Sequence, residues 1–274
     1  MQAQNVIEET RTSTHPIVSP TAWIAARKAL LAKEKELTRR RDELARERRE
    51  LPWERVEKNY VFAGPDGPVT LAELFDGRSQ LVVYHFMFGP EWREGCPSCS
   101  MVADHLGASL VHLAQRDVSL AVVSRAQLPR IAEFQQRMGW PFRWVSSFGN
   151  DFNRDYHVSF TPEEMAQGTM EYNYGNQGFP ADEAHGVSVF LKTPEDAGGE
   201  IFHTYSAYAR GAEELLGVYS FLDLTPKGRD EAALPFPMAW IKHHDSYAGG
   251  EQAAPKPAPV EATAAGCCAG EASA

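Results

Sequence analysis

The chain is poor in cysteine, with four among 274 residues, and it has no apolar run longer than the eight residues from Leu81 to Phe88, which include His85. The first shortage excludes a small disulfide-stapled scaffold. The second excludes a membrane-spanning helix, which needs about 20 consecutive apolar residues. The first twenty residues contain Glu8, Glu9 and Arg11 and no apolar leader core, so no secretory signal is legible there. Positive charge is in deficit as well: 27 Lys and Arg against 37 Asp and Glu give a formal net charge of −10, which argues against nucleic acid as a partner. The expectation is a soluble protein of a reducing cytoplasm, with no membrane partner. In that compartment paired thiols are more often chemical than structural.

What is present is Cys96-Pro97-Ser98-Cys99, two thiols two residues apart. Leu81 to Phe88 before them suits a strand buried on both faces of a parallel sheet. After them Met101, Val102, Leu106, Leu110 and Leu113 recur at steps of three and four, an amphipathic helix to about Arg116. Cys96 then falls at the helix N-terminus, where unpaired backbone N–H groups stabilise a thiolate and lower its pKa. Pro97 fits the first helical position. Cys99, on the same face, is within reach of Cys96. Cys96 should attack and Cys99 should resolve. The competing readings are two buried cysteines that pack as small hydrophobes, and a zinc or copper half-site.

Around this motif the pattern is strand, helix, strand, helix, strand, then a hairpin and a last helix. Val118 to Val123 reads as a buried strand, Leu128 to Gly139 as a helix with Ile131, Phe134 and Met138 inward, and Phe142 to Val145 as a short strand. Asp151 to Val158 reads as one helical turn, and Val187 to Lys192 with Ile201 to Ala207 as a hairpin. A helix is expected from Gly211 to about Leu222. In front, Val56 to Ala63 reads as a strand, and Thr70-Leu71-Ala72-Glu73 has capping-box spacing. Ser159 to Pro180 has no clear period and reads as an insertion loop. The fold class is α/β, a central mixed sheet with helices on both faces.

The ends differ from this centre. Residues 1–18 are expected to be flexible, and 19–51 to form a long helix opened by Ser19-Pro20, ahead of a domain over 52–247. Trp23, Leu30, Leu37, Leu44 and Leu51 repeat every seven residues in that helix, but the next seam position holds Ala26, Lys33, Arg40 and Glu47, so a full coiled coil is not expected. The row could lie on a core as one stripe of a solvated helix, or serve as an arm for a homodimer. From Arg27 to Glu50 ten Lys or Arg face six Asp or Glu, +4 against −14 for the rest of the chain. From 248 to 274, Ala, Pro, Gly and Glu dominate and disorder is expected.

Further residues compete for a role. Trp92 could cover a disulfide as an aromatic lid, or simply pack on its own domain. Arg93 could lower a thiolate pKa, or be solvated. His85 and His105 could pair with Cys96 or add metal ligands, but helical spacing takes His105 off the cysteine face and a strand histidine is more often a hydrogen-bonded core residue. The adjacent pair Cys267-Cys268 could pass electrons to the motif or capture a soft metal ion, and incidental tail cysteines are the simpler reading. His243-His244-Asp245 could add metal ligands, with a solvated polar end to the domain the plainer expectation. No cofactor or resident metal is expected.

Several segments resemble one family: Trp23-Ile24-Ala25-Ala26-Arg27-Lys28 onward, Phe86-Met87-Phe88-Gly89-Pro90 before Gly95-Cys96-Pro97-Ser98-Cys99, Gly186-Val187-Ser188-Val189-Phe190, and Asp223-Leu224-Thr225-Pro226-Lys227-Gly228-Arg229. It is a bacterial thioredoxin-like family of unknown function, labelled as predicted dithiol-disulfide oxidoreductases, and the resemblance runs from about His15 to Tyr247. It implies a thioredoxin-like fold with a peroxiredoxin-type N-terminal extension and a thiol–disulfide exchange activity of Cys96 and Cys99. The substrate would be a protein or small-molecule thiol or disulfide, with an electron donor the sequence does not identify. Thioredoxins place a cis-proline before the strand facing the active site, where it shapes substrate docking; here Gly186 precedes Val187, which argues against general protein-disulfide reduction. Peroxiredoxins carry Thr three residues before the reactive cysteine; here that residue is Arg93, which argues against a peroxidase of the usual kind.

Overall fold

A computed structural model describes residues 15–247. The expectations for residues 1–14, for the tail from 248 and for Cys267-Cys268 lie outside the described residues. Two compact units divide at Pro52 and Trp53.

The first unit is α1, Pro20–Glu50, opened by Ser19, whose hydroxyl accepts from the Ala22 N–H at 3.3 Å, with Pro20 in the first turn. No residue of α1 is buried, and its row of Trp23, Leu30, Leu37 and Leu44 is exposed. Ion pairs of the i,i+3 and i,i+4 kind, such as Arg39 and Arg40 with Glu36, run along it.

The second unit is built on an eight-stranded mixed sheet. In chain order it comprises β1 (Glu54–Arg55), β2 (Val61–Gly64), β3 (Gly67–Thr70), α2 (Leu71–Leu74), β4 (Gln80–His85), α3 (Pro97–Ala114), β5 (Val118–Ser124), α4 (Leu128–Met138), β6 (Arg143–Ser146), α5 (Phe152–Asp155), α6 (Pro162–Gln167), β7 (Met170–Tyr172), β8 (Gly175–Gln177), β9 (Gly186–Lys192), β10 (Ile201–Tyr208) and α7 (Gly217–Leu222). The strand order is β1-β10-β9-β4-β5-β6-β2-β3. β4 and β6 flank β5 in parallel, and β9 joins the other side of β4 antiparallel, followed by β10. This is the expected α/β, thioredoxin-like architecture, with the β2–β3 hairpin as its N-terminal extension.

Alternation along the central strands separates two cores. Leu81 and Val83 of β4 with Ala121 and Val123 of β5 pack under α2 and α5 with Phe62, Phe75 and Phe152. Tyr84 and Phe86 with Val122 and Trp144 face the other way, where α3 and α4 bring Cys99, Val102, Ile131 and Phe134. In that second core the rings of Phe86, Phe88, Phe134, Trp140, Phe142 and Trp144 meet edge-on, tilted or stacked at 4.7–6.5 Å between centroids.

Four expectations need correction. Val56 to Ala63 is not one strand. β1 pairs with β10 at one edge of the sheet and β2 with β6 toward the other, so the intervening residues must cross between the two and cannot stay in either ladder. Ser159 to Pro180 is not a bare loop: it holds α6, capped by a complete Thr161–Glu164 capping box, and the β7–β8 hairpin. Its turn residues, Asn173 and Tyr174, both have positive φ, as a two-residue hairpin turn requires. The helix expected from Gly211 is a 3-10 turn over Ala209–Leu215 followed by α7, with Leu216 non-helical between them. The end of the domain is a solvated polar segment only in part: His243 is buried, while Lys242, Asp245 and Ser246 are exposed.

β9 begins at Gly186 because β10 leaves no room for a side chain there. A Cβ would lie 2.6 Å from Cδ1 of Tyr208 and 3.2 Å from the Ala207 carbonyl oxygen. Gly186→Ala is therefore expected to destabilise the fold by about 1–3 kcal/mol through overpacking. A urea denaturation midpoint that falls at unchanged slope checks this.

Candidate functional site

The site begins where β4 leaves the sheet. Phe86 still donates its N–H to Val123, at 2.9 Å, and the loop that follows is closed by the Cys96 N–H bonding the Met87 carbonyl at 3.0 Å. Gly95 is buried against the aromatic core: a Cβ there would lie 2.5 Å from Phe86 and 2.8 Å from Phe134. The position of Cys96 is thus set by a backbone hydrogen bond on one side and ring packing on the other.

Cys96 is the N-cap of α3 and Pro97 occupies its first turn, as the sequence predicts. The Cys96 carbonyl is already used, accepting from both N–H and Oγ of Ser100 at 2.9 Å. Ahead of it, the N–H groups of the first turn have no carbonyl partner within the helix.

Both cysteines are free thiols, Cys96 half-buried and Cys99 buried. Their pKa values separate. Cys96 is pulled down to about 7, first by a hydrogen bond from the Cys99 side chain, with the backbone N–H groups of Cys99 and Ser98 adding to it against the cost of burial. Cys99 is pushed well above the ordinary thiol range, by burial and then by its contact with Cys96. The two thiols are thus unlike: a half-accessible, more acidic thiol at position 96 and a buried proton-holding thiol one turn later. Arg93 is exposed and is not among the groups that dominate the Cys96 shift.

Tyr84 completes the floor. Its hydroxyl is buried with no hydrogen-bond partner of good geometry. It is close enough to Cys99 that each shifts the other: burial and then Cys99 push the phenol up, while Tyr84 partly offsets the rise of the thiol.

The thiols open into a cavity of about 480 Å³ with a predominantly apolar lining. Met87, Val102 and Tyr84 line the side from which the cysteines project, and the chain after β10 forms the opposite wall through Ala212, Leu216, Tyr219 and Met238. Charged groups fasten that wall. Arg229 pairs with Asp223 through two bonds of 2.7 and 2.8 Å, meets Glu213, and lies 4.1 Å over the Tyr219 ring. Glu231 accepts from Tyr219 Oη at 2.6 Å, Trp240 Nε1 at 2.7 Å and the Met238 N–H at 3.0 Å. The segment Asp223 to Arg229, noted in the sequence without a role, is thus a closed loop bracing one side of the cavity.

His185 also lines the cavity, beside Gly186. Its Nε2 bonds the Ala209 carbonyl at 3.2 Å, and burial pushes its pKa down, which keeps the ring neutral. It stands directly before β9, where a thioredoxin has its cis-proline; no cis peptide occurs among the described residues. Sequence reasoning missed His185, Tyr84 and the whole far wall. The one available signal was the position of His185 next to the departure already seen at Gly186.

Other candidates lie elsewhere. Trp92 is half-buried, donates from Nε1 to Asp182 at 3.3 Å, and does not line the cavity, so it is not a lid on the thiols. His105 bonds the Met101 carbonyl at 2.8 Å and packs against Gly217. His85 turns to the opposite core, where its Nε2 meets Ser188 Oγ at 2.8 Å; Ser188 in turn meets Ser206, and Ser206 meets His203. His243 donates from Nε2 to the Gly95 carbonyl at 2.8 Å, and Asp245 pairs with Arg137 at 2.7 Å. Among the described residues no group of three or more His, Cys, Asp or Glu side chains could hold a metal ion. Nor is any helix there long and apolar enough to cross a membrane.

Because the Cys99 hydrogen bond is the largest downward influence on Cys96, the single variant Cys99→Ala should move the pKa of the remaining site thiol up from about 7 toward the ordinary thiol range. The pH dependence of iodoacetamide alkylation reads this. The rate should be half-maximal near pH 7 in the native protein and roughly one unit or more higher in the variant.

Among curated proteins, none matches this sequence. Among solved structures, the chain is similar to peroxidoxin BcpB from Mycobacterium tuberculosis, with a TM-score of 0.40 and 12% identity over 60% of this chain and 93% of that one. It is similar to a mutant of peroxiredoxin Q from Xanthomonas campestris, with a TM-score of 0.40 and 15% identity over 62% and 95% of the two chains. A mitochondrial 2-Cys peroxiredoxin from Plasmodium falciparum gives a TM-score of 0.37 and 12% identity over 64% and 95%. The model of the family described as bacterial protein of unknown function (DUF899) matches residues 12–247, nearly the whole length, and the chain belongs to that family.

Proposed function

We propose that the protein is a dithiol–disulfide oxidoreductase working through Cys96 and Cys99. One observation carries this reading: the two thiols are separated in acidity by their surroundings, with the more acidic one at the N-terminus of α3 and facing the cavity. The Cys96 thiolate attacks one sulfur of a substrate disulfide, forming a mixed disulfide and releasing the first substrate thiolate. Cys99 gives up its proton and attacks the Cys96 sulfur, forming the Cys96–Cys99 bond and releasing the second thiolate. Two electrons pass from the dithiol to the substrate. A dithiol reductant returns them, and the same exchange run backward would oxidise a substrate dithiol. Charge relief favours the second step. Once Cys96 is bonded its negative charge is gone, so one of the causes that hold the Cys99 pKa up is removed.

Proline 97 contributes by omission, since it has no N–H that would need a partner at the start of α3. The cytoplasmic setting expected from the sequence would keep the pair reduced between turnovers.

With dithiothreitol as reductant and a low-molecular-weight disulfide as substrate, Cys96→Ser should lower consumption of the disulfide to the rate of dithiothreitol alone. Cys99→Ser, reduced beforehand and freed of dithiothreitol, should instead stop after one half-reaction, leaving on Cys96 a mixed disulfide that peptide mass spectrometry locates. Equal turnover by Cys96→Ser and native protein would refute the reading.

A further inference from the structure

We infer that the dithiol serves a small, uncharged, largely apolar disulfide that enters the cavity, and not a polypeptide or a charged peptide disulfide. This inference rests on the function proposed above and specifies its substrate class.

Three features of the site point the same way. The first is size. A volume of about 480 Å³ is that of a small-molecule pocket and is too little for a folded chain to enter. The thiols do not stand on an open face, because the chain from Ala209 to Met238 runs opposite them and is held there by the Arg229 and Glu231 clusters.

The second feature is the state of the charges. A charged substrate is recognised by protein charges that have capacity left for it. Most of that capacity is spent: Arg229 is satisfied by Asp223 and Glu213, and one oxygen of Glu231 accepts three donors, while Arg210, which keeps only its Nε on Glu213 at 2.7 Å, is mostly exposed to solvent. What faces the thiols is Met87, Val102, Leu216 and the ring of Tyr84, together with a neutral imidazole. The buried Tyr84 hydroxyl, which touches Cys99 and has no hydrogen-bond partner of good geometry, is a donor for a single acceptor atom or a leaving sulfur.

The third is the backbone before β9. An extended peptide docks by bonding free main-chain groups. Here the His185 carbonyl is already taken by Tyr172 Oη at 2.8 Å, and Gly186 is paired within the sheet to both Tyr208 and His85. A polypeptide would find no free carbonyl at His185. Ala209 and Met238, which both line the cavity, hold positive φ of 47° and 73°. Strain of that kind persists only where the surroundings impose it and is common at ligand sites.

The test has four arms on the reduced full-length protein, each rate divided by that of dithiothreitol with the same reagent. The disulfides are neutral 2,2′-dithiodipyridine, glutathione disulfide and insulin. In a fourth, non-redox arm, alkylation of Cys96 by N-benzylmaleimide is compared with alkylation by a maleimide carrying a sulfonate. The expected result is a preference of about ten-fold or more for the neutral aromatic reagent in both chemistries. That preference should shrink in Met238→Glu, which places a charge at the partly exposed edge of the cavity, and in Ala212→Leu, which fills it. Circular dichroism identifies a variant that fails to fold, and the native comparison then decides alone. Insulin reduced as fast as the neutral reagent, or no preference in either arm, overturns the inference and leaves thiol exchange standing. A maleimide preference with no Cys96-dependent reduction of any disulfide overturns the proposed function, and the disulfide substrate with it.

Discussion

The chemistry of Cys96 depends on the donors that converge on its sulfur, the Cys99 side chain first and then the backbone N–H groups at the start of α3. A helix leaves the donors of its first turn unpaired, and in α3 those of Ser98 and Cys99 converge on one sulfur. Their effect is local, so the sulfur must be held at the helix end. Two features without chemistry of their own hold it there: the Cys96 N–H bond to Met87, and a glycine at position 95 that lets the Phe86 and Phe134 rings close up behind it. The aromatic core is in this sense part of the site. A side chain at position 95 would press on those rings and displace the start of α3.

Burial works against this arrangement. Taking the Cys96 thiolate out of water opposes its ionisation, and the hydrogen bonds from Cys99 and Ser98 prevail over that cost. The same enclosure pushes Cys99 and Tyr84 toward their neutral forms. One apolar environment therefore draws one group toward ionisation and holds two protonated, according to how many donors converge on each. Beside the thiols a neutral histidine stands before β9, and a wall of later sequence lies across the cavity.

What could be read from the sequence was whatever is decided within a few residues. The β4–α3–β5–α4–β6 succession follows from apolar period alone, the Thr70–Glu73 capping box forms as spaced, and Gly139 ends α4 in the left-handed conformation. Pro97 and the helix-end position of Cys96 belong to the same class. The β7–β8 hairpin escaped because its turn is Asn173-Tyr174, without the glycine that usually marks positive φ. The cavity escaped for a different reason. Its far wall combines a 3-10 turn, a six-residue helix and a loop closed by Arg229 and Asp223, none of which has a period, and its partners are more than a hundred residues away in the chain. His85, in contrast, is the hydrogen-bonded core residue that its place in a buried strand predicts.

The buried His243, whose ring closes on the Gly95 carbonyl, is separated from it by 148 residues. During synthesis the two cysteines therefore leave the ribosome well before the chain that encloses them. Through that interval the nascent polypeptide carries a pair of neighbouring thiols with no wall across from them, open to any oxidant or foreign disulfide large or small. The enclosure of the two thiols is completed only once residues 236–247 have been made and fold back over the middle of the chain.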